Sequence, residues 1–178
     1  MKNAKMLMIA LAAVLALSLV GCSSAPAASA SPEVSASAEA TPVPTPEITM
    51  TAQEIADDLM NIDDLFSSMD HSEQDLFAEM CGLDLSLLED YSLNDAMMNV
   101  KSHTLYIAKV KDAADMDAVK TAFQTRKEQM EQSFERYLED QYEIAKAGQI
   151  VTSGNWVMLV ICEDSTKVVD RFNELMGA

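Results

Sequence analysis

Basic residues are scarce in this chain. Lys and Arg total 12 against 29 Asp and Glu, a formal net charge of −17. Such an excess of acid repels nucleic-acid phosphates and anionic lipid head groups alike, so no nucleic-acid partner is expected. Glycine is also sparse. The residues at 21, 82, 148, 154 and 177 cannot build a phosphate-cradling loop, and no GxSxG nucleophile elbow is present. His71 and His103 stand far apart, outside any HExxH and with no ligand spacing around them, and are expected at the surface or in turns. No two cysteines form a CxxC pair, which removes support for zinc or dithiol redox chemistry. The acids between Asp63 and Asp75 lack the central glycine and the alternation of an EF-hand loop. No metal or cofactor is therefore expected, and no catalytic residue can be named.

Long apolar runs are equally rare, with one exception at the N-terminus. Lys2 and Lys5 precede an apolar stretch from Met6 to Leu19, the length of a secretory signal and short for a membrane span. It ends in Leu19-Val20-Gly21-Cys22, which resembles the bacterial lipobox. That resemblance implies a signal peptide over residues 1–21, cleavage before Cys22, and a diacylglycerol on the Cys22 thiol. The alternatives are an ordinary signal peptide or an uncleaved anchor. Two acyl chains, at about 0.8 kcal/mol per buried methylene, hold a protein to a membrane without help from a basic patch. The expected place is the outer face of the cytoplasmic membrane. Losing residues 1–21 removes two lysines and no acid, taking the net charge from −17 to −19. A polyanionic wall would repel such a chain.

Residues 22–50 hold almost nothing large. Ser, Ala, Thr and Glu dominate, and Pro42, Pro44 and Pro46 alternate, favouring extended polyproline conformations. Nothing there offsets the entropy of ordering, so a disordered tether is expected.

Residues 51–178 carry the patterns of a single α+β domain. Thr51 and Glu54 form a capping box, with Met50 and Ile55 placed as a hydrophobic staple. Ile55, Leu59, Ile62, Phe66 and Met69 follow at helical spacing. Ser72 with Asp75 can cap a second helix that Gly82 stops. A strand is expected within 90–100 and a clearer one over Thr104–Val110, rich in β-branched and aromatic residues. Asp115 or Asp117 should cap a long helix to Ala147, striped by Val119, Phe123, Met130, Phe134, Leu138, Tyr142 and Ala145. Lys127/Glu131 and Arg136/Asp140 would be its ion pairs. Gly154-Asn155 should turn a hairpin whose second strand, Trp156 to Cys162, is apolar on both faces and therefore central. Ser165 should cap a C-terminal helix. Together these predict an antiparallel sheet of about four strands in two hairpins. The long and C-terminal helices should cover one face and the N-terminal helix pair the other. Cys81 and Cys162 could pair in an oxidising compartment, but both fall on apolar stripes and are expected as buried free thiols.

The second half resembles a known family. A strand ending Lys109-Val110-Lys111-Asp112, the helical run Ser133-Phe134-Glu135-x-Tyr137-Leu138, then Asp140-Gln141-Tyr142 and Gly154-Asn155-Trp156 are similar to a domain of unknown function (number 4358). The resemblance covers roughly residues 50–175 and implies a lipoprotein or secreted protein of clostridia-like Gram-positive bacteria. It implies no activity. The family usually has proline where this chain has Glu139, which leaves open whether the long helix breaks there, and tyrosine is common at Trp156.

One constellation has the composition of a binding groove. Tyr137, Asp140, Gln141 and Tyr142 put two phenols, an acid and an amide within two helical turns, suited to a glycan or peptide. The same residues could instead cover a sheet edge and tie off backbone groups. The 13 methionines raise the same question of binding against packing. The expected function is a non-enzymatic accessory or binding module of the cell envelope, meeting an envelope protein, glycan or peptide. The alternative is a small extracytoplasmic enzyme using carboxylates on wall polymer or peptide.

Overall fold

Thr51 starts the first helix for a local reason. Its hydroxyl accepts from the Glu54 N–H, and the Glu54 carboxylate accepts from the Thr51 N–H at 2.8 Å. Donors that a helix start leaves without partners are thereby satisfied on both sides. The computed structural model describes residues 48–178, and in it this helix, α1, spans Ala52–Met60. The lipobox, Cys22 and the spacer up to residue 47 lie outside the described residues. Ile48 and Met50 are both partly buried against the core that holds Ile55. Thr51→Ala should lower stability by about 1 kcal/mol, read as a lower denaturant midpoint at unchanged slope. An unchanged midpoint would show that water replaces the cap.

The helix ends earlier than its apolar stripe suggested. Asn61 terminates it, and Asp63, Asp64 and Ser68 take positive φ in the turn that follows. Met69, read as the stripe's last member, lies instead in a two-residue strand, β1 (Met69–Asp70). Helix α2 (Gln74–Cys81) stops at Gly82, whose φ of 71° is the left-handed geometry glycine adopts freely. Its expected cap does not form. The Ser72 N–H donates back to Asp70 Oδ1, and Glu73 occupies the N-cap position without a side-chain bond. Strands β2 (Leu88–Ala96) and β3 (Thr104–Val110) make the first hairpin, and β4 (Gln149–Ser153) and β5 (Trp156–Ile161) make the second.

The sheet is antiparallel throughout, in the order β1-β2-β3-β5-β4. The four expected strands are its body, and β1 adds a short fifth at the edge, too brief to leave a pattern in the sequence. Strand β5 lies between β3 and β4 and is buried along its whole length, as its two apolar faces require.

Side chains alternate between two cores. Tyr106, Ala108, Val157, Leu159 and Ile161 face α2, α3 (Met116–Phe134) and α4 (Glu139–Ala147). Leu105, Ile107, Met158 and Val160 face α1 and α5 (Ser165–Leu175). The expected division of helices is corrected here, since the N-terminal pair is split across the sheet and α5 joins α1. The chain leaves β5 through Cys162, which is buried in the α1 core, and Ser165 Oγ accepts from the Cys162 N–H. That hydrogen bond turns the chain onto the α1 face. The Ser165 hydroxyl is thus spent on the turn, and Asp164 caps α5 by accepting from the Lys167 N–H. Asp115 likewise makes no capping bond to α3, while Asp112 caps the short 3-10 turn before it.

The long helix is broken. Residues 135–138 leave the helix, and Leu138 is extended (φ −137°, ψ 99°). Length explains the break. An unbroken helix over 116–147 would run about 48 Å, whereas the strands it covers reach at most about 30 Å. Glu139 is the first residue of α4, the position where proline is favoured and where an acid interacts well with the helix dipole. The break also separates Arg136 from Asp140. Arg136 lies 4.0 Å from Glu135 instead, whereas Lys127 and Glu131 do pair. At the α4–β4 junction a Cβ on Gly148 would sit 2.7 Å from Ile161 Cγ1, so only glycine lets the backbone approach β5 this closely.

Candidate functional site

The polar groups of the domain converge at one end of the sheet, around the β2–β3 connection. Asp95, next to last in β2, is 4% exposed and accepts three side-chain hydrogen bonds. Thr104 Oγ1 donates to Oδ1 at 2.8 Å, and Tyr106 Oη and Arg126 Nη2 donate to Oδ2 at 2.6 and 2.8 Å. Strand β3 supplies the two hydroxyls and α3 the guanidinium. Burial pushes the Arg126 pKa down, but the charge and hydrogen bond of Asp95, with smaller contributions from Tyr106 and Cys81, together bring it above the ordinary value. Burial and the same carboxylate push the Tyr106 phenol well up. The result is a guanidinium that keeps its charge beside a phenol that keeps its proton. Chemically this arrangement holds β2, β3 and α3 together. Both of its carboxylate oxygens are engaged within the protein.

The sequence reading missed this cluster, although a signal was present. The α3 stripe runs Val119, Phe123, then Met130 and Phe134, a gap of seven where helical spacing demands a buried residue. Arg126 fills the gap. A charged residue at a position the period assigns to the core needs a buried partner, and Asp95 is that partner.

His103 lies in the β2–β3 connection, as expected of a turn residue, yet it is not exposed. It is buried edge-on to Phe66, with Nε2 2.8 Å from Glu163 Oε2. Lys101 reaches the other Glu163 oxygen at 3.2 Å. Burial raises the Glu163 pKa, but its own backbone N–H, His103 and Lys101 together bring it below the ordinary carboxylate value.

The residues singled out as a groove are dispersed. Gln141 is buried and accepts from both the N–H (2.9 Å) and the hydroxyl (3.2 Å) of Ser102, tying α4 to the β2–β3 loop. Tyr137 is 65% exposed on the α3–α4 turn, and Asp140 is exposed beside it. The Tyr142 ring sits under Lys146 Nζ (5.0 Å) and lines a shallow depression of about 190 Å³ with Glu128, Glu131, Gln132 and Glu135. Cys81 and Cys162 are both buried and free. Burial raises both thiols, Cys162 to about 11, so neither is an available nucleophile near neutral pH. Among the described residues no group of His, Cys, Asp and Glu is placed to hold a metal ion, and no helix is long and apolar enough to cross a membrane.

Comparison with curated proteins returned no match, and comparison with solved structures returned none. The family comparison did match. Its model, described as "Domain of unknown function (DUF4358)", spans residues 61–162, from the turn after α1 to the end of the second hairpin. That is more than half of the chain, and the chain therefore belongs to the DUF4358 family.

Proposed function

We propose that this protein is a lipid-anchored binding module of the cell envelope, held at the outer face of the cytoplasmic membrane and without chemistry of its own. The observation that carries the reading is Leu19-Val20-Gly21-Cys22 closing an apolar segment that follows Lys2 and Lys5. A diacylglycerol on Cys22 supplies the membrane contact, and the Ser/Ala/Pro-rich spacer carries the domain away from the bilayer. The domain's polar interior supports a binding role over a catalytic one. Asp95, Tyr106 and Arg126 are spent on one another, and Gln141 is spent on Ser102. Tyr137 and Asp140 are left at the surface, available to an envelope protein, glycan or peptide.

The anchor is tested by Cys22→Ser. The variant should leave the membrane fraction, appearing in the culture fluid or remaining as uncleaved precursor, while the wild type fractionates with membrane at mature size. Mature-sized Cys22→Ser protein in the membrane fraction would overturn the anchor.

A further inference from the structure

All six large apolar side chains that stand exposed among the described residues belong to three segments. Leu76 and Met80 lie one turn apart on α2, Met97, Met98 and Val100 are in the β2–β3 loop, and Tyr137 is on the α3–α4 turn. Scattered exposed apolar residues are ordinary, but a cluster is not. These three segments are fastened to one another. Gln129 Nε2 of α3 donates to the Met80 carbonyl at 2.7 Å. One turn earlier, Arg126 holds Asp95, two residues before Met97. Gln141 holds Ser102, two residues after Val100, and lies four residues beyond Tyr137. Two buried bonds and one exposed bond thus tie α2, the β2–β3 loop and the α3–α4 turn to the same end of the sheet. In the β2–β3 loop the exposure is large, 69% at Met97 and 47% at Met98.

Acids outnumber bases around the cluster, where Arg136, exposed beside Tyr137, and Lys127, paired with Glu131, are cations. Asp75 and Glu79 are exposed on α2, and Glu135, Glu139 and Asp140 are exposed about Tyr137. The depression beside Tyr142 adds Glu128 and Glu131. Of the nearby cations, Lys101 is already paired with Glu163. A second copy of this chain would bring the same acids to the contact, and anionic lipid is repelled likewise. Unbranched, polarizable methionine side chains conform to irregular apolar partners.

We propose that this Met-rich, acid-rimmed end docks a cationic amphipathic segment of a partner protein. The apolar face of the segment lies on Met80, Met97 and Met98, and its Lys or Arg residues meet the carboxylates. The inference rests on the binding-module reading and names the partner's chemistry.

The test uses the full chain in neutral-lipid nanodiscs with methionine methyl groups labelled for NMR. The probe is a synthetic helical peptide with leucine at i, i+3, i+4 and i+7 and lysine elsewhere. Its addition should shift the Met80, Met97 and Met98 methyl signals and leave those of buried Met158 and Met176 in place. Met97→Ser/Met98→Ser should weaken binding about tenfold or more, with the fold intact because both side chains are exposed. Asp75→Lys/Glu79→Lys should weaken it and flatten its salt dependence. A leucine/glutamate peptide should not bind. Equal affinity for the serine variant, or shifts confined to other methionines, would overturn the proposal. So would loop methyls perturbed by the bilayer before peptide is added, or self-association that Met97→Ser/Met98→Ser abolishes. The anchor is judged separately by fractionation of Cys22→Ser, so either idea can fail alone.

Discussion

Asp95→Ala should destabilise the domain by about 3–5 kcal/mol, the cost of breaking a buried ion pair by removing one partner. The carboxylate takes donors from Thr104, Tyr106 and Arg126, so its loss strands a buried guanidinium and a buried phenol at once. Arg126→Met should cost less, because Asp95 keeps two hydroxyl donors and methionine fills the helix-facing volume. The decisive variant is Asp95→Leu/Arg126→Met with Tyr106→Phe. It removes every charge and the phenol together, and should be more stable than Asp95→Ala alone, since no polar group is left without a partner except the Thr104 hydroxyl, which is within 3.4 Å of the Ser102 carbonyl. Urea unfolding of the four proteins gives the comparison. A loss below about 1 kcal/mol for Asp95→Ala, the range of exposed pairs, would show that water reaches the cluster.

The same cluster shows where a sequence stops being legible. Helix starts and turns are local, and they were readable: Thr51 with Glu54, Gly82 after α2, and Gly154-Asn155 in the second hairpin each act within four residues. The central position of β5 was also readable, because a strand apolar on both faces has only one place in a covered sheet. Burial of a polar residue is different in kind. In β2, Ser92, Asn94 and Asp95 are polar yet all three are buried, and Asp95 finds its partner 31 positions away. The burial of His103 in its turn was hidden for the same reason, its neighbours Phe66 and Glu163 being remote in sequence. The helix break at 135–138 depends on the length of the sheet beneath it, and the apolar stripe runs through it unmarked, so only the proline the family has at Glu139 pointed to it. The residues proposed to bind, Tyr137, Asp140, Gln141 and Tyr142, were chosen for a continuous helix. On a broken one they point to different surroundings, with Gln141 inward to Ser102 and Tyr137 out to solvent.

Phe172→Ala should cost about 3–5 kcal/mol, comparable with the loss of Asp95, by a different route. Phe172 is fully buried on α5, in the core that α1, Leu105, Ile107, Met158 and Val160 share. Its removal forfeits transfer energy and leaves a cavity that helices resting on a rigid sheet close only in part. Phe123 is its counterpart on α3, fully buried and edge-on to Tyr106 at 5.6 Å. The two rings belong to opposite faces and share no core, so their costs should add. A sum of about 6–10 kcal/mol meets the whole stability of an ordinary domain, about 5–15 kcal/mol. Each single variant should therefore unfold cooperatively at a lower denaturant midpoint, while Phe123→Ala/Phe172→Ala should lack near-UV circular dichroism at ambient temperature. Retention of that signal would mean the faces are coupled or able to repack. The two sites also part company in binding. The α3 face holds Arg126 and Gln129, which fasten the Met-rich end, whereas Phe172 lies across the sheet from them. Folded Phe172→Ala protein should bind the lysine-rich peptide with wild-type affinity, and folded Phe123→Ala protein should bind it more weakly.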